Sequence, residues 1–427
     1  MALDFLQANV NMPQITIAIV FYADMSILQA NVDGLAVGEY LIKKLGEYEH
    51  HKVMAVTNDC QLDIESPLFR KFPNLKVCTS NNLDIGEWRN KGVLLIDVRV
   101  WLSSQNLESI FSYIENAKTS IQFCEAKKFI PSAYREVMTL AIYVPSEKVT
   151  SKLFKKMGVI NEMALEAFVN FDVLDIAQKI YCDDEYFSQF SLLMNSYIDI
   201  AEIERRIHLE RAIYAMRLGV RIRDPHSVYI RGKFSYGFGV EIDTNVTFEG
   251  DVVLGNNVKI NANSILRDCK VGDGTVIKHF SLIESSSLGE GSFVGPYGRI
   301  RPGSIIGNNV QIGNYVEIKN SSIGNDCRIN HHTFIGDSLI ADQVTIGAGT
   351  ITCNHDGNST RHTIIEQGAY IGSGCNLVAP LIISAEATIG AGSTITQDVP
   401  AEKLTLARSI QTTVNGWVRP KNQRAGK

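Results

Sequence analysis

The sequence predicts two domains of different class, an N-terminal α/β domain followed by a C-terminal parallel β-helix of hexapeptide repeats, and three observations carry that prediction. First, from Ile242 to Ile395 an aliphatic or aromatic residue returns at every sixth position with few slips: Ile242, Phe248, Leu254, Ile260, Leu266, then Val271, Ile277, Ile283, then Leu288 through Ile318. The series continues at Ile323, Ile329, Ile335, Ile340 and Ile346, and resumes after one interruption at Ile365, Ile371, Leu377, Ile383, Ile389 and Ile395. Second, the residues between these anchors are Gly, Asn, Asp and small side chains, as in Leu254-Gly-Asn-Asn-Val-Lys and Ile389-Gly-Ala-Gly-Ser-Thr. Third, the first part of the chain alternates strand-like and helix-like segments, the pattern of a parallel-sheet α/β domain.

A six-residue repeat excludes a helix, because about 100° per residue smears the anchors around the axis. Three hexads instead close one triangular coil, each anchor stacking inside on the anchor a coil earlier. Successive coils pair as parallel strands and rise by about 4.8 Å. Five-residue steps at Leu266–Val271, Ile283–Leu288, Ile318–Ile323 and Ile335–Ile340 require a shortened corner.

Ahead of the repeats, Ile15–Phe21 is an apolar β-rich run behind Pro13, read as a buried strand, followed by a helix over Leu35–Tyr48 and a strand over Val53–Thr57. Val93–Asp97 is a strand ending on an acidic residue, and Leu107–Ala117 a helix. Thr139–Val144 is strand-like, and helical stretches are expected near Met163–Tyr181. Ala201–Leu218, rich in Glu, Arg and Ala, is a linker helix stopped at Gly219 before Asp224-Pro225. The expected division is 1–200 for the α/β domain, 201–224 for the linker helix and 225–427 for the β-helix with its tail.

At 427 residues more than one core is expected. A net charge of −5 with 20% charged residues points to neither a nucleic-acid surface nor a disordered acidic chain. The eight cysteines contain no CxxC, which fits reduced thiols better than a disulfide frame or a zinc site. No apolar run reaches the ~18–20 residues of a membrane span, and no signal-like segment opens the chain, so a cytoplasmic protein without nucleic-acid or membrane partners is expected.

Ligands of open α/β sheets bind at the carboxyl ends of strands. The first strand runs into Phe21-Tyr-Ala-Asp-Met-Ser26, which lacks the glycines that let backbone N–H groups approach a phosphate. Asp97, at a strand end, is a candidate Mg²⁺ ligand or a helix cap.

In the repeats, Arg301 follows anchor Ile300 and Lys319 follows anchor Ile318, so the two cations hold the same position one coil apart. Like charges side by side on a sheet destabilise it. An anion held between them, a phosphate, is one reading; two solvated cations splayed apart is the other. His331 stands second after anchor Ile329, a position that three anchors later is Ala348 within Gly347-Ala-Gly349. A neutral imidazole there can take a proton from an amine while nearby backbone N–H groups receive a carbonyl. His332 is the surface alternative, and a His331–His332 metal pair is disfavoured because adjacent strand residues face opposite ways.

From Arg223-Asp-Pro225 onward the chain resembles the C-terminal half of the bacterial bifunctional N-acetylglucosamine-1-phosphate uridylyltransferase and glucosamine-1-phosphate N-acetyltransferase family. The matching words are Val240-Glu-Ile-Asp-Thr-Asn-Val246, Arg299-Ile-Arg-Pro-Gly303, Gly313-Asn-Tyr-Val-Glu-Ile-Lys319, Ile346-Gly-Ala-Gly-Thr-Ile-Thr-Cys-Asn354, Leu377-Val-Ala-Pro380 and Gly416-Trp417. The resemblance implies a left-handed β-helix, a homotrimer and acetyl-CoA bound between protomers. It also implies His331 as catalytic base oriented by Glu317, Arg301 and Lys319 as sugar-phosphate ligands, and Asn354 as a sugar contact from an inserted loop. Ala348, Ser373, Ala391 and Arg408 fall on positions that hold acetyl-CoA. Three positions depart: Phe334 replaces a phosphate-binding Tyr, Thr345 an Asn beside the substrate amine, and Thr360 a loop Lys, with Arg361 next to it. Losing hydrogen bonds to a charged group removes ~1.5–3 kcal/mol each, so these departures bear on substrate identity.

The N-terminal domain resembles the family's nucleotidyltransferase half (Rossmann-like) only faintly: Asp97 and Asn195 fall on its Mg²⁺-ligand positions, but the glycine-rich nucleotide loop is missing. The expectation is an acetyl-CoA-dependent N-acetyltransferase for an amino-sugar phosphate, glucosamine 1-phosphate first, serving UDP-N-acetylglucosamine supply to cell wall or surface polysaccharide, with an inactive uridylyltransferase half. The alternatives are an acetyltransferase for another amino sugar or a sugar hydroxyl, a fully bifunctional enzyme needing Mg²⁺, and a non-catalytic scaffold.

Overall fold

The computed structural model describes residues 197–417 throughout and, ahead of them, the strands and helices between Thr16 and Leu193 with a few flanking residues. The chain forms two compact units, 1–207 and 208–427.

The first unit is built on a seven-stranded sheet of β1 (Thr16–Phe21), β2 (Lys52–Thr57), β3 (Lys76–Thr79), β4 (Val93–Asp97), β5 (Ser120–Ala126), β6 (Val137–Val144) and β7 (Ile176–Tyr181), in the order β7-β5-β6-β4-β1-β2-β3. Its centre is apolar on both faces: Ile17, Ile19, Leu94, Leu95, Ile96, Ile142 and Val144 are all buried, as a sheet covered on both sides requires. Helices α1 (Val37–Gly46) and α2 (Ser104–Ile114) bury Leu41, Leu45, Leu107, Ile110 and Phe111.

Two expectations are corrected here. The sheet is mixed rather than parallel, because β6 runs antiparallel to both β4 and β5. And Ile176–Tyr181, expected within a helical stretch, is a strand paired in parallel with β5. The pairing partner lies some fifty residues earlier, so a local pattern carries no sign of it. Phe21 closes β1, and the glycine-free segment after it lies outside the described residues, as does Asn195.

Helix α3 (Tyr197–Arg217) begins four residues earlier than its Ala-Glu-Arg composition suggests, and the boundary between the compact units falls inside it. Its second half belongs to the β-helix: Ala212 and Ala215 sit in that core, and Arg211 donates to the Ile230 carbonyl at 2.6 Å. Gly219, at φ +100°, ends the helix, with the Val220 N–H reaching back to the Ala215 carbonyl at 3.1 Å.

The second unit is a parallel β-helix of short strands on three faces. Every anchor of the hexad series is buried at 4% exposure or less, so the apolar column read from the sequence is the core. Each such side chain contributes roughly 1.5–3 kcal/mol relative to exposure. A second inward column two residues before the anchors holds Val at several coils, among them Val240, Val258, Val310 and Val344, and small hydroxyl side chains at others, among them Ser264, Thr275, Ser281, Ser292, Ser304 and Thr333, all buried. The hydroxyls donate to backbone carbonyls of the coil, as Thr275 does to Gly289 at 2.7 Å.

The five-residue steps are made in one way. Each turns its corner through a single residue in the left-handed region: Asp268 (φ 46°), Ser285 (φ 40°), Asn320 (φ 45°) and Asp337 (φ 50°). The six-residue step after Ile300 uses Pro302-Gly303 instead, with Gly303 at φ 79°. Short polar side chains tolerate that conformation better than bulky ones.

Candidate active site

The position one residue after the anchors of one face forms a charge ladder. Arg231, Glu249, Arg267 and Glu284 stand in register on successive coils, joined by Arg231–Glu249 at 3.1 Å, Arg267–Glu249 at 2.7 Å and Arg267–Glu284 at 3.0 Å. Arg267 beside Glu249 holds that carboxyl below the usual carboxylate range. The alternation continues to Arg301 and then fails, because the next coil supplies Lys319 where a carboxylate would fit.

The stacked cations take their partners from elsewhere. Arg301 Nη1 donates to Glu317 Oε1 at 2.8 Å, and Lys319 Nζ stands 3.9 Å from Asp337 Oδ2. The repulsion is therefore relieved within the chain, and an anion is not needed to hold the pair together. Both side chains remain partly open, at 35% and 40% exposure, so an anion can still reach them.

His331 ends the strand Arg328–His331 on the adjacent face. Its Nδ1 lies 2.6 Å from Asn314 Oδ1, the residue in register one coil earlier. An amide oxygen only accepts, so Nδ1 is the donor, and in the neutral ring the lone pair then lies on Nε2, the tautomer a base needs. Within this chain the contact to Nδ1 is made by Asn314, and Glu317, expected to orient the ring, is bonded elsewhere. Its carboxylate is committed to Arg301 at 2.8 Å, with Arg299 at 3.9 Å. Asn314 is the residue in contact, and the column counting that stacks Lys319 on Arg301 is the signal that finds it.

Below His331 the same column holds Ala348, Ser373 and Ala391, linked coil to coil by Gly349 N–H to the His331 carbonyl, Gly374 N–H to Ala348 and Gly392 N–H to Ser373, at 3.2, 2.7 and 2.8 Å. Arg408 reaches this line with Nη1 donating to the Ala391 carbonyl at 2.9 Å. The structure thus brings His331, Ala348, Ser373, Ala391 and Arg408 onto one strip.

Beside that strip runs a corner whose residues are all left-handed. In the upper coils it carries Phe280, Tyr297, Tyr315 and His332 at φ 46–59°, and in the lower coils Gly349, Gly374 and Gly392 at φ 70–76°. The rings stack at 5.0–5.1 Å between centroids. The glycines are not forced by crowding: a Cβ on Gly349 or Gly374 meets nothing nearer than 3.8 Å, and one on Gly392 nothing within 4 Å. Their common effect is to strip side chains from the corner below His331. Gly347 and Gly372 differ, since a Cβ there would lie 2.5 Å from the backbone of the next coil.

Phe334, half-buried, stands in register with Glu317, across the corner from His331. Thr345 pairs with Arg328 and Tyr370, three residues along the face from the His331 column, roughly 10 Å at strand rise. The inserted loop leaves after Cys353 and returns at Thr363. Asp356 organises its tip by accepting from the Asn358 and Ser359 N–H groups at 2.9 and 2.7 Å, which holds its carboxyl at about 2. Thr360 bridges to His355, and Arg361 is exposed with Nε 3.8 Å from Asp356. Asn354 turns its amide to Asp337 Oδ2 at 2.5 Å.

Asp97 ends β4, and among the described residues no three His, Cys, Asp or Glu gather to hold a metal. The described cysteines are free thiols. Burial pushes Cys269 up to about 12 and Cys327 up to about 11, and both occupy the second inward column, so they are packing residues.

A family described as the GMPPB C-terminal domain matches residues 230–314 and 293–356. The bifunctional protein GlmU of Nitrosospira multiformis is 46% identical over 227 residues, covering 53% of this chain and 49% of that protein. That of Methylococcus capsulatus is 46% identical over 232 residues, covering 54% and 50%. Among solved structures, 4-diphosphocytidyl-2C-methyl-D-erythritol synthase from Anaerococcus prevotii is 14% identical over 45% of this chain and 98% of its own, at a TM-score of 0.31. UDP-N-acetylglucosamine acyltransferase of Francisella novicida is 16% identical over 44% and 63%, at 0.23. The chain spans about half the length of the curated relatives it matches, and over its C-terminal half it is homologous to the bifunctional GlmU proteins.

Proposed function

We propose that the β-helix is an acetyl-CoA-dependent N-acetyltransferase acting on an amino-sugar phosphate, with glucosamine 1-phosphate the first candidate substrate. The observation that carries this reading is the juxtaposition of a tautomer-fixed histidine with a bare strip: His331 Nε2 is free to accept a proton, and the corner beneath it is cleared by Gly349, Gly374 and Gly392. The strip fits an extended coenzyme, with Ala348, Ser373 and Ala391 along it and Arg408 at its end. When bound, acetyl-CoA would supply the thioester carbonyl carbon, whose bond to sulfur is exchanged for a bond to the substrate nitrogen, coenzyme A leaving as the thiol. Nε2 of His331 takes the amine proton, and Asn314 Oδ1 holds the imidazolium by accepting from Nδ1. Arg301 and Lys319, where the charge ladder breaks, take the phosphate, with Glu317 and Asp337 fixing their side chains.

The uridylyltransferase half is read as inactive, because Phe21–Ser26 offers no glycine for a triphosphate. Residues 1–200 within the full chain should release no pyrophosphate from UTP, N-acetylglucosamine 1-phosphate and Mg²⁺. Release well above a no-enzyme control restores the bifunctional reading.

We read the assembly as a homotrimer. Its support is an outward ladder on the third face, Ile305, Ser322, Leu339, Ile364 and Ile382 in register, with Ile305 at 59% and Leu339 at 53% exposure. A closed symmetric arrangement buries such a patch on every subunit. Thiol release from acetyl-CoA, screened over amino-sugar phosphates, tests the reading. Turnover with one of them is expected, and none with any overturns it. Turnover with another amino sugar favours the second reading, which Phe334, Thr345 and Thr360 support.

A further inference from the structure

Asp337 is 4% exposed, and holding Lys319 accounts for only one of its contacts. It occupies a shortened corner at φ 50°, where Asn or Asp suffices for the backbone, yet its carboxylate has three partners. Asn320 Nδ2 donates to Oδ1 at 2.6 Å, Asn354 Nδ2 donates to Oδ2 at 2.5 Å, and Lys319 Nζ lies 3.9 Å from Oδ2. Its backbone carbonyl faces His362 Nδ1 at 3.0 Å and accepts from the Thr363 N–H at 3.4 Å.

These contacts fall on both ends of the inserted loop. Asn354 is its first residue past the strand Ile351–Cys353, and His362 and Thr363 are where it returns. The Arg361 N–H closes the neck by donating to the Asn354 carbonyl at 2.8 Å. Burial alone would raise the Asp337 carboxyl; the bonds from Asn320 and Asn354 and the nearby Lys319 and His362 outweigh it and keep it below the ordinary range. The carboxylate is thus charged and enclosed, and breaking one buried partner of such a group leaves the rest uncompensated.

We propose that Asp337 is a positioning residue that clamps the neck of the Cys353–Thr363 loop to the Lys319 cation, so that loop placement and anion binding are coupled through one carboxylate. The coupling to substrate rests on the acetyltransferase reading of Lys319; the clamp itself does not.

The clamp is read by amide hydrogen exchange on the full-length protein without ligand. Asp337→Asn can accept from only one of the two donors, Asn320 and Asn354, and removes the charge facing Lys319, so residues 354–363 should exchange at least tenfold faster while the coils above Ile318 keep wild-type protection. The double variant Asp337→Asn/Asn354→Asp reverses donor and acceptor, and it should restore the loop's protection. Unchanged exchange in the single variant, or a swap that fails to restore protection, overturns the clamp; if the single variant does not fold, the swap alone decides. In the acetyl-transfer assay the single variant should raise KM for the sugar phosphate at least tenfold with kcat changed less. An equal fall in kcat at unchanged KM contradicts the coupling to Lys319. Absence of turnover in the wild type sinks the acetyltransferase reading and leaves the exchange result standing.

Discussion

The corner that runs down the β-helix is one backbone carrying two surfaces. From Phe280 to His332 it is walled with stacked rings, and from Gly349 to Gly392 it is bare, although the φ values and coil-to-coil hydrogen bonds are alike in both halves. A non-glycine residue at positive φ costs about 1–2 kcal/mol, and the upper half offsets it with aromatic pairs worth ~0.5–1.5 kcal/mol each. The lower half avoids the strain but forgoes the stacking. What separates the halves is access, since the change comes where His331 leaves the column and Ala348 follows.

The same contrast appears on the charge ladder. Five coils alternate Arg and Glu from Arg231 to Arg301, and the sixth places Lys319 beside Arg301, one coil before that of His331. Regular repetition describes the scaffold, and departures from it coincide with the proposed site.

The largest expected effect comes from removing the base. His331→Ala should lower acetyl transfer by ~10²–10⁴-fold, the range general-base catalysis supplies, and leave thermal unfolding near wild type because the side chain is exposed. Wild-type turnover would remove His331 from the reaction. Next, Lys319→Ala deletes a charged partner of the phosphate at ~1.5–3 kcal/mol, so KM for the sugar phosphate should rise by about one to two orders of magnitude. Initial rates against substrate concentration check it, and an unchanged KM would return Arg301 and Lys319 to the solvated-surface reading. Asn314→Ala should reduce kcat without changing coenzyme affinity, since Nδ1 loses the acceptor that fixes its proton; a wild-type kcat would leave the tautomer to some other group. The smallest effect is expected from Tyr297→Gly, which opens a bare corner in the walled half. Two stacking contacts are lost and the strain at φ 59° is relieved, so stability should fall by no more than ~2 kcal/mol in a denaturant titration, with activity unaltered.

The core was legible because a six-residue period admits one chain path, and the shortened corners at Asp268, Ser285, Asn320 and Asp337 were legible as five-residue steps. The sheet of the first unit was less so: β7 is defined by pairing with β5, and the reversal of β6 by partners on both sides, none of which a local pattern contains. At the site, column arithmetic stacked Arg301 on Lys319 and His331 over Ala348. It did not show that Glu317 and Asp337 lean across columns to meet those cations. Side-chain direction within a coil has no periodic signature. Asp337 was hidden for another reason, because its partners Asn354 and His362 are brought to it by a loop that breaks the repeat.

The bare corner is the central claim, and coenzyme affinity tests it most directly. Gly374→Tyr writes the upper half's residue into the lower half at a site where a Cβ has room, so the protein should fold with a loss of about 1–2 kcal/mol. Calorimetric titration with acetyl-CoA should then show binding at least tenfold weaker than wild type, with unfolding still cooperative. Wild-type affinity in a folded Gly374→Tyr protein would mean that the coenzyme does not lie along this corner, and the site would have to be sought elsewhere on the helix.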